Sequence, residues 1–309
     1  MRLLLFSLCL LLSAAAGAQS LNMPWVASSV ADSASQVWFR KGYLFRGKPR
    51  QASLTVVTTG YFELYVNGRN VSTQVLTPRR AAFCRDALGV TYDVERFLSP
   101  DSNVVAVLYS PALPCATPYQ VAVQFAGVDA RGHAFCDASD ASWLCRRARR
   151  RVIPDGGEEA EGGWPLSYFT GNAIDQALWT PATVAHGAVE PSFRLLPASA
   201  DGMRVARIIK PAFFDVVGDS VVYDFGTAFQ GWVRVTLRDA RVGEQVNVGG
   251  MVYVCTGQMD EQACRKFTLP VCRRVWIYGD AHFRKSQIQN VEGLVLEPAE
   301  SGGMWPWTW

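Results

Sequence analysis

The sequence predicts an all-β protein built as two consecutive antiparallel β-sandwich domains of a jelly-roll-like kind. Three observations carry that prediction. Apolar residues recur with a period of two in many short runs. Turn residues punctuate those runs at short intervals. No stretch beyond the N-terminal leader sustains an i, i+3, i+4, i+7 apolar stripe for three turns. Short, turn-separated strands fit sandwiches rather than a parallel α/β sheet.

The chain opens on a leader. Arg2 is followed by an apolar run from Leu3 to Leu12, and small residues end in Ala16-Gly17-Ala18. That order is the signature of a secretory signal peptide over residues 1–18, with the mature chain starting at Gln19. The run is about ten residues, too short to span a bilayer as a helix. Cys9 lies inside it after Leu8, which argues against a lipoprotein anchor. The expectation is export to the periplasm, the outer-membrane surface or the medium, with no transmembrane segment in the mature chain.

Beyond the leader the strands follow in order. Ala52 to Thr58 alternates, and Tyr61 to Val66 sets Phe62, Leu64 and Val66 against Tyr61, Glu63 and Tyr65. Asn67-Gly68 then predicts a type I′ hairpin, because both residues accept positive φ. Period two continues over 104–109, 119–125, 221–225, 232–238, 274–278 and 291–296. Residues 155–163 (DGGEEAEGG) read as a long acidic loop, and 191–201 as a connector. The first sandwich is expected over residues 24–200, the second over 201–298, and a Trp-rich tail over 299–309.

Composition limits function. The chain is 49% hydrophobic and 18% charged, with a net charge of +3. The one basic concentration, Arg146, Arg147, Arg149, Arg150 and Arg151, lacks interleaved aromatics. It reads as a solvated loop or edge strand rather than a nucleic-acid surface. Seven cysteines remain after the leader, an odd number with no CxxC pair, and the chain has 3 histidines. A structural zinc site has little support, and strand cysteines such as Cys255 read as buried hydrophobes. No GxSxG, GxxxxGK[ST], HExxH or strand-following GxGxxG is present. Asp86, Asp93, Asp175, Asp224, Asp260, Glu261 and their like are scattered, and each alone reads as solvated or turn-capping.

The ordered set of segments resembles the N-terminal sandwiches of bacterial α-L-rhamnosidases. The resemblance runs from Trp38 and Arg40-Lys41 through Gly60–Val71, Leu76-Thr77-Pro78, Val90–Val94 and Asp101–Val107. It continues with Ser139–Trp143 and Ile174–Trp179, then Val222–Gly226, Phe229–Arg234 and Arg273–Ile277. The match covers roughly residues 36–298. Two departures accompany it. In the family a helical barrel follows the sandwiches and carries the acid and base carboxylates, and no segment after residue 298 corresponds to it. The strand expected at Val246–Met251 lacks the glutamate common there. Hydrolysis by this chain alone is therefore not expected.

The resemblance implies sugar binding, in some members through a calcium ion, near the acidic segment 155–168. Asp155, Glu158 and Glu159 are the corresponding candidate calcium ligands, and Trp164 and Tyr168 the candidate sugar-stacking rings. A second reading stays open, in which the segment is an acidic loop and Trp164 plugs the sandwich. Asn70-Val71-Ser72 fits a glycosylation sequon and reads as coincidence. Trp305, Trp307 and Trp309 suit a stacking or docking tail, an edge strand, or the mark of a truncated gene. Together these features predict an exported, non-catalytic carbohydrate-binding accessory protein whose partner is a rhamnose-containing glycan. The alternatives are a divergent or truncated glycoside hydrolase that needs a separate catalytic barrel and partner chain, and an adhesion module without a sugar site.

Overall fold

In the computed structural model, the described residues are 23–80, 86–114, 117–163, 166–171, 175–186, 190–198 and 202–299. The leader, Trp164 and the tryptophans of the tail lie outside them. Among the described residues the strands form two hydrogen-bonded sheets, of seven and fifteen strands. Among the described residues no helix is long and apolar enough to cross a membrane.

Period-two alternation closes the first core. The strand Gln51–Thr58 turns Leu54 and Val56 inward, between its neighbours Val121–Val128 and Ala87–Asp93. The facing layer runs Leu144–Val152, Ser35–Leu44, Ser102–Ser110, Tyr61–Val66. Its inward residues include Phe39, Val107, Leu64 and Cys145. Its opposite face carries Trp38, Leu108 and Tyr65, one residue out of phase. Asn67 and Gly68 have φ of 51° and 78°, both positive as the type I′ turn demands.

The second core is organised by one long strand, Ser220–Arg238. Its first half pairs with Phe213–Val217 and Val271–Gly279. After an irregularity between Asp224 and Phe229, its second half pairs with Ile288–Pro298 and Asp260–Ala263. The strand thus passes from one layer of the sandwich to the other. The two runs expected at 221–225 and 232–238 are its two halves. Val233, Val235 and Leu237 from one layer meet Val246, Val275 and Ile277 from the other.

Three expectations change. Residues 246–251 are not one strand: Gln245–Val248 and Met251–Val254 form a hairpin around Gly249 and Gly250, at φ 53° and 84°. The sheets are mostly antiparallel, but Phe193–Leu196 runs parallel to the strand beginning at Ala87. Most consequential, the basic run and the acidic loop are the two arms of one hairpin. Arg150, Arg151 and Val152 pair with Ala160, Glu159 and Glu158. The basic run is an interior strand, with Ser35–Leu44 on its other side. The acidic arm Glu158–Glu161 continues, parallel, into Met251–Val254 of the second sandwich. Ala160 is part of the second core. A four-residue strand therefore joins the two sandwiches into one sheet.

Candidate functional site

The charges of this hairpin settle in pairs. Arg149 contacts Glu161, Arg150 lies 3.1 Å from Glu158, and Arg151 lies 3.9 Å from Glu159. Glu158 is 0% exposed. Its carboxylate accepts the backbone N–H groups of Lys266, Phe267 and Thr268 at 2.8–3.1 Å, and the Thr268 hydroxyl at 2.9 Å. Burial alone would raise its pKa. The Arg150 charge and these donors outweigh burial and hold it below the usual carboxylate range. Beside it, Arg265 donates from Nη1 to the Gly156 carbonyl at 2.8 Å and from Nη2 to the Gly249 carbonyl at 2.6 Å. The segment Arg265–Thr268 is thereby locked onto the turn between the two charged arms.

Above this lock lies a cleft of about 550 Å³ between the two sandwiches. Its floor is apolar: Trp38, Leu108, Ala148 and Phe169. Trp38 and Phe169 stack with centroids 5.1 Å apart and planes within 6°. Its rim is polar, with Glu161, Gln258, Asp260, Glu261, Gln262 and Lys266. Lys266 Nζ sits 2.9 Å from Glu63. Glu261 is buried and accepts from Tyr253 Oη at 3.0 Å, Thr256 N at 2.9 Å and Gly257 N at 2.8 Å. Burial raises the Tyr253 pKa, and the adjoining Glu261 carboxylate adds to it. Gly162 lets the chain pass directly over Tyr253, for a Cβ there would collide with the phenol oxygen.

An apolar floor with a ring of donors and acceptors suits a ligand that has one C–H face and an edge of hydroxyls. Glu161 is engaged by Arg149, and Asp260 is held below its ordinary pKa by Arg238, 2.8 Å away. Glu261 is already filled with donors.

The expected site residues do not gather. Glu158 and Glu159 are consecutive on a strand and point to opposite faces. Asp155, in the turn, accepts its own loop's Gly157 N–H at 3.1 Å. With Glu158 saturated by donors, these three carboxylates do not fit a calcium ion, which needs six to eight converging oxygens. Tyr168 is half-buried, with Arg146 stacked 5.1 Å over its ring and Phe169 against it at 5.4 Å. Phe169, the ring it touches, is a lining residue of the cleft. Trp164 lies outside the described residues. Trp38, Glu261 and Lys266 are the residues sequence reasoning did not select. The available signal was Pro154-Asp155-Gly156, a turn motif set between blocks of opposite charge, which marks a hairpin.

Residues 47–112 match the family model described as alpha-L-rhamnosidase N-terminal domain. No curated protein matches the chain. Among solved structures, the alpha-L-rhamnosidase from Dictyoglumus thermophilum superposes with a TM-score of 0.75 at 20% identity, over 91% of this chain and 36% of that one. The Aspergillus terreus enzyme gives 0.74 at 16% identity, over 90% and 36%. The Streptomyces avermitilis enzyme, complexed with L-rhamnose, gives 0.71 at 19%, over 86% and 29%. The chain thus spans about a third of the length of these rhamnosidases, and at such identities the likeness is one of fold. On the match over 47–112 and this shared fold, the chain resembles the N-terminal β-sandwich region of alpha-L-rhamnosidases.

Proposed function

We propose that the chain is an exported carbohydrate-binding accessory protein that holds a glycan without hydrolysing it. The observation that carries this reading is the inter-sandwich cleft, with its Trp38–Phe169 floor and polar rim. A sugar ring laid on the floor would place hydroxyls against Gln262 and Lys266. Non-catalysis is supported by the state of the rim carboxylates, each engaged by an arginine or by several donors. A glycosidase needs one carboxyl held protonated as a general acid, facing a second across the scissile bond. The division into two sandwiches near residue 200, the export signal over 1–18 and the rhamnose-containing ligand belong to the same proposal.

The test is a glycan panel displayed on a surface, probed with the purified chain. Binding to rhamnose-containing glycans is expected, weakened about three- to ten-fold by Gln262→Ala with Lys266→Ala, the range of one or two hydrogen bonds. Indifference to every such glycan would sink the proposal.

A second reading rests on the three rhamnosidases, of which the chain covers 29–36%. Here the sandwiches would serve a catalytic region supplied elsewhere. Release of the chromophore from an aryl rhamnoside by the chain together with a separately supplied helical barrel, and by neither alone, would favour it.

A further inference from the structure

The charges along the cleft limit what it can hold. Three cations line it, Arg149, Arg150 and Lys266, and each already has a carboxylate. Arg149 contacts Glu161, Arg150 lies 3.1 Å from Glu158, and Lys266 Nζ lies 2.9 Å from Glu63. In the last two pairs the acid is the inner member: Glu158 is fully buried, and the Glu63 side chain is 9% exposed. The acidic lining is less evenly matched. Asp260 has Arg238 at 2.8 Å, but Glu261 has no ion pair among the described residues. Its oxygens are met by Tyr253 Oη, the Thr256 hydroxyl and the Thr256 and Gly257 N–H groups. Arg146 stacks on the Phe169 ring, its guanidinium 5.9 Å from the centroid, and does not itself line the cleft. Among the described residues the lining thus offers no unpaired cation, and it carries one carboxylate that no cation balances.

We propose that the cleft selects uncharged glycans and rejects those that carry uronate or sulfate groups. Such selectivity presupposes that the cleft is a sugar site, and it names the class of sugar. An anionic group leaving water for the cleft needs a cation to replace its hydration. Taking Arg150 or Lys266 would leave Glu158 or Glu63 unpaired in the interior, and a buried charge that loses its partner is strongly destabilising. Arg149 is the weakest point of the barrier, because its pair with Glu161 is in contact with solvent and such pairs contribute little. A neutral ring needs hydrogen bonds alone, which the amide of Gln262 both gives and accepts.

One polysaccharide in two charge states tests it: a rhamnan bearing glucuronate side groups, and the same polymer after reduction of its carboxyl groups to give glucose. Retention of the full chain on each immobilised polymer is measured at about 0.15 M salt, where long-range attraction to its net charge of +3 is screened. The reduced polymer should hold the chain about ten-fold more tightly than the acidic one, the scale of one unpaired charge. Glu161→Gln and Glu63→Gln each free a lining cation, and each should narrow that ratio about three-fold or more by gaining affinity for the acidic form. Melting temperatures show which variants fold, and either one carries the comparison if the other melts early. Equal retention on both polymers, or a preference for the acidic one, overturns the selectivity and leaves the sugar site standing. A preference for the reduced polymer that the folded variants leave unchanged assigns it to shape and overturns the proposal as well. Retention on neither polymer overturns the sugar site, and the selectivity with it.

Discussion

Glu158 shows how a single carboxylate can hold two halves of a molecule. It receives one guanidinium, three backbone N–H groups and a hydroxyl, all while fully buried. Removing one partner from a buried ion pair leaves the other uncompensated and costs about 3–5 kcal/mol. Glu158→Ala should lose about that much in urea unfolding, and a loss below about 1 kcal/mol would contradict the role. Its folded pKa lies below the ordinary value of 4.5, so its stabilisation is complete above that pH. Stability should fall as pH drops from about 4.5 through the folded pKa. Glu158→Gln should be flatter across the same window, measured by melting temperature against pH. Gly162 is a second sensitive position: Gly162→Ala drives a methyl into Tyr253 and should cost about 1–3 kcal/mol. It should also weaken glycan binding at the cleft.

The strand Glu158–Glu161 is the element on which the arrangement turns, with a ladder on each side. Ala160→Pro removes a backbone donor at a position where ring sterics and pairing both forbid proline. It should cost about 1–3 kcal/mol in lost and unsatisfied hydrogen bonds, seen as a lower urea midpoint. A strand of four residues, three of them glutamate, has no apolar alternation to announce it. That is why the segment reads as a loop in the sequence: its inward residues are a glutamate and an alanine, Glu158 and Ala160, and its stability comes from partners far along the chain. The strands Gln51–Thr58, Tyr61–Val66 and Ser102–Ser110, by contrast, are legible because each buries one face of branched or aromatic residues. The Asn67-Gly68 turn is legible for a local reason, since few other residues accept its φ values. Tyr168 looked like a stacking ring by residue type alone; Arg146 above it is invisible until the basic run is known to be an interior strand.

At the scale of the whole molecule, two hydrophobic cores share one hydrogen-bonded sheet. That coupling predicts a single cooperative unfolding transition, followed by calorimetry. Ala160→Pro should split it into two, one for each core, and two transitions in the unaltered chain would refute the coupling. The dispersal of Asp155, Glu158 and Glu159 gives a further expectation: a calcium chelator should shift neither the melting temperature nor glycan binding. The cleft itself was not legible in the sequence, because its walls come from residues 38, 108, 169 and 262, brought together by the sheet that crosses between sandwiches. The most direct test of the central claim is one incubation of the purified chain with a rhamnose-containing polysaccharide, in which retention and released reducing sugar are measured together. Retention with no release, weakened about three- to ten-fold in the Gln262→Ala, Lys266→Ala variant, is the expected result; release of sugar, or no retention at all, would contradict it.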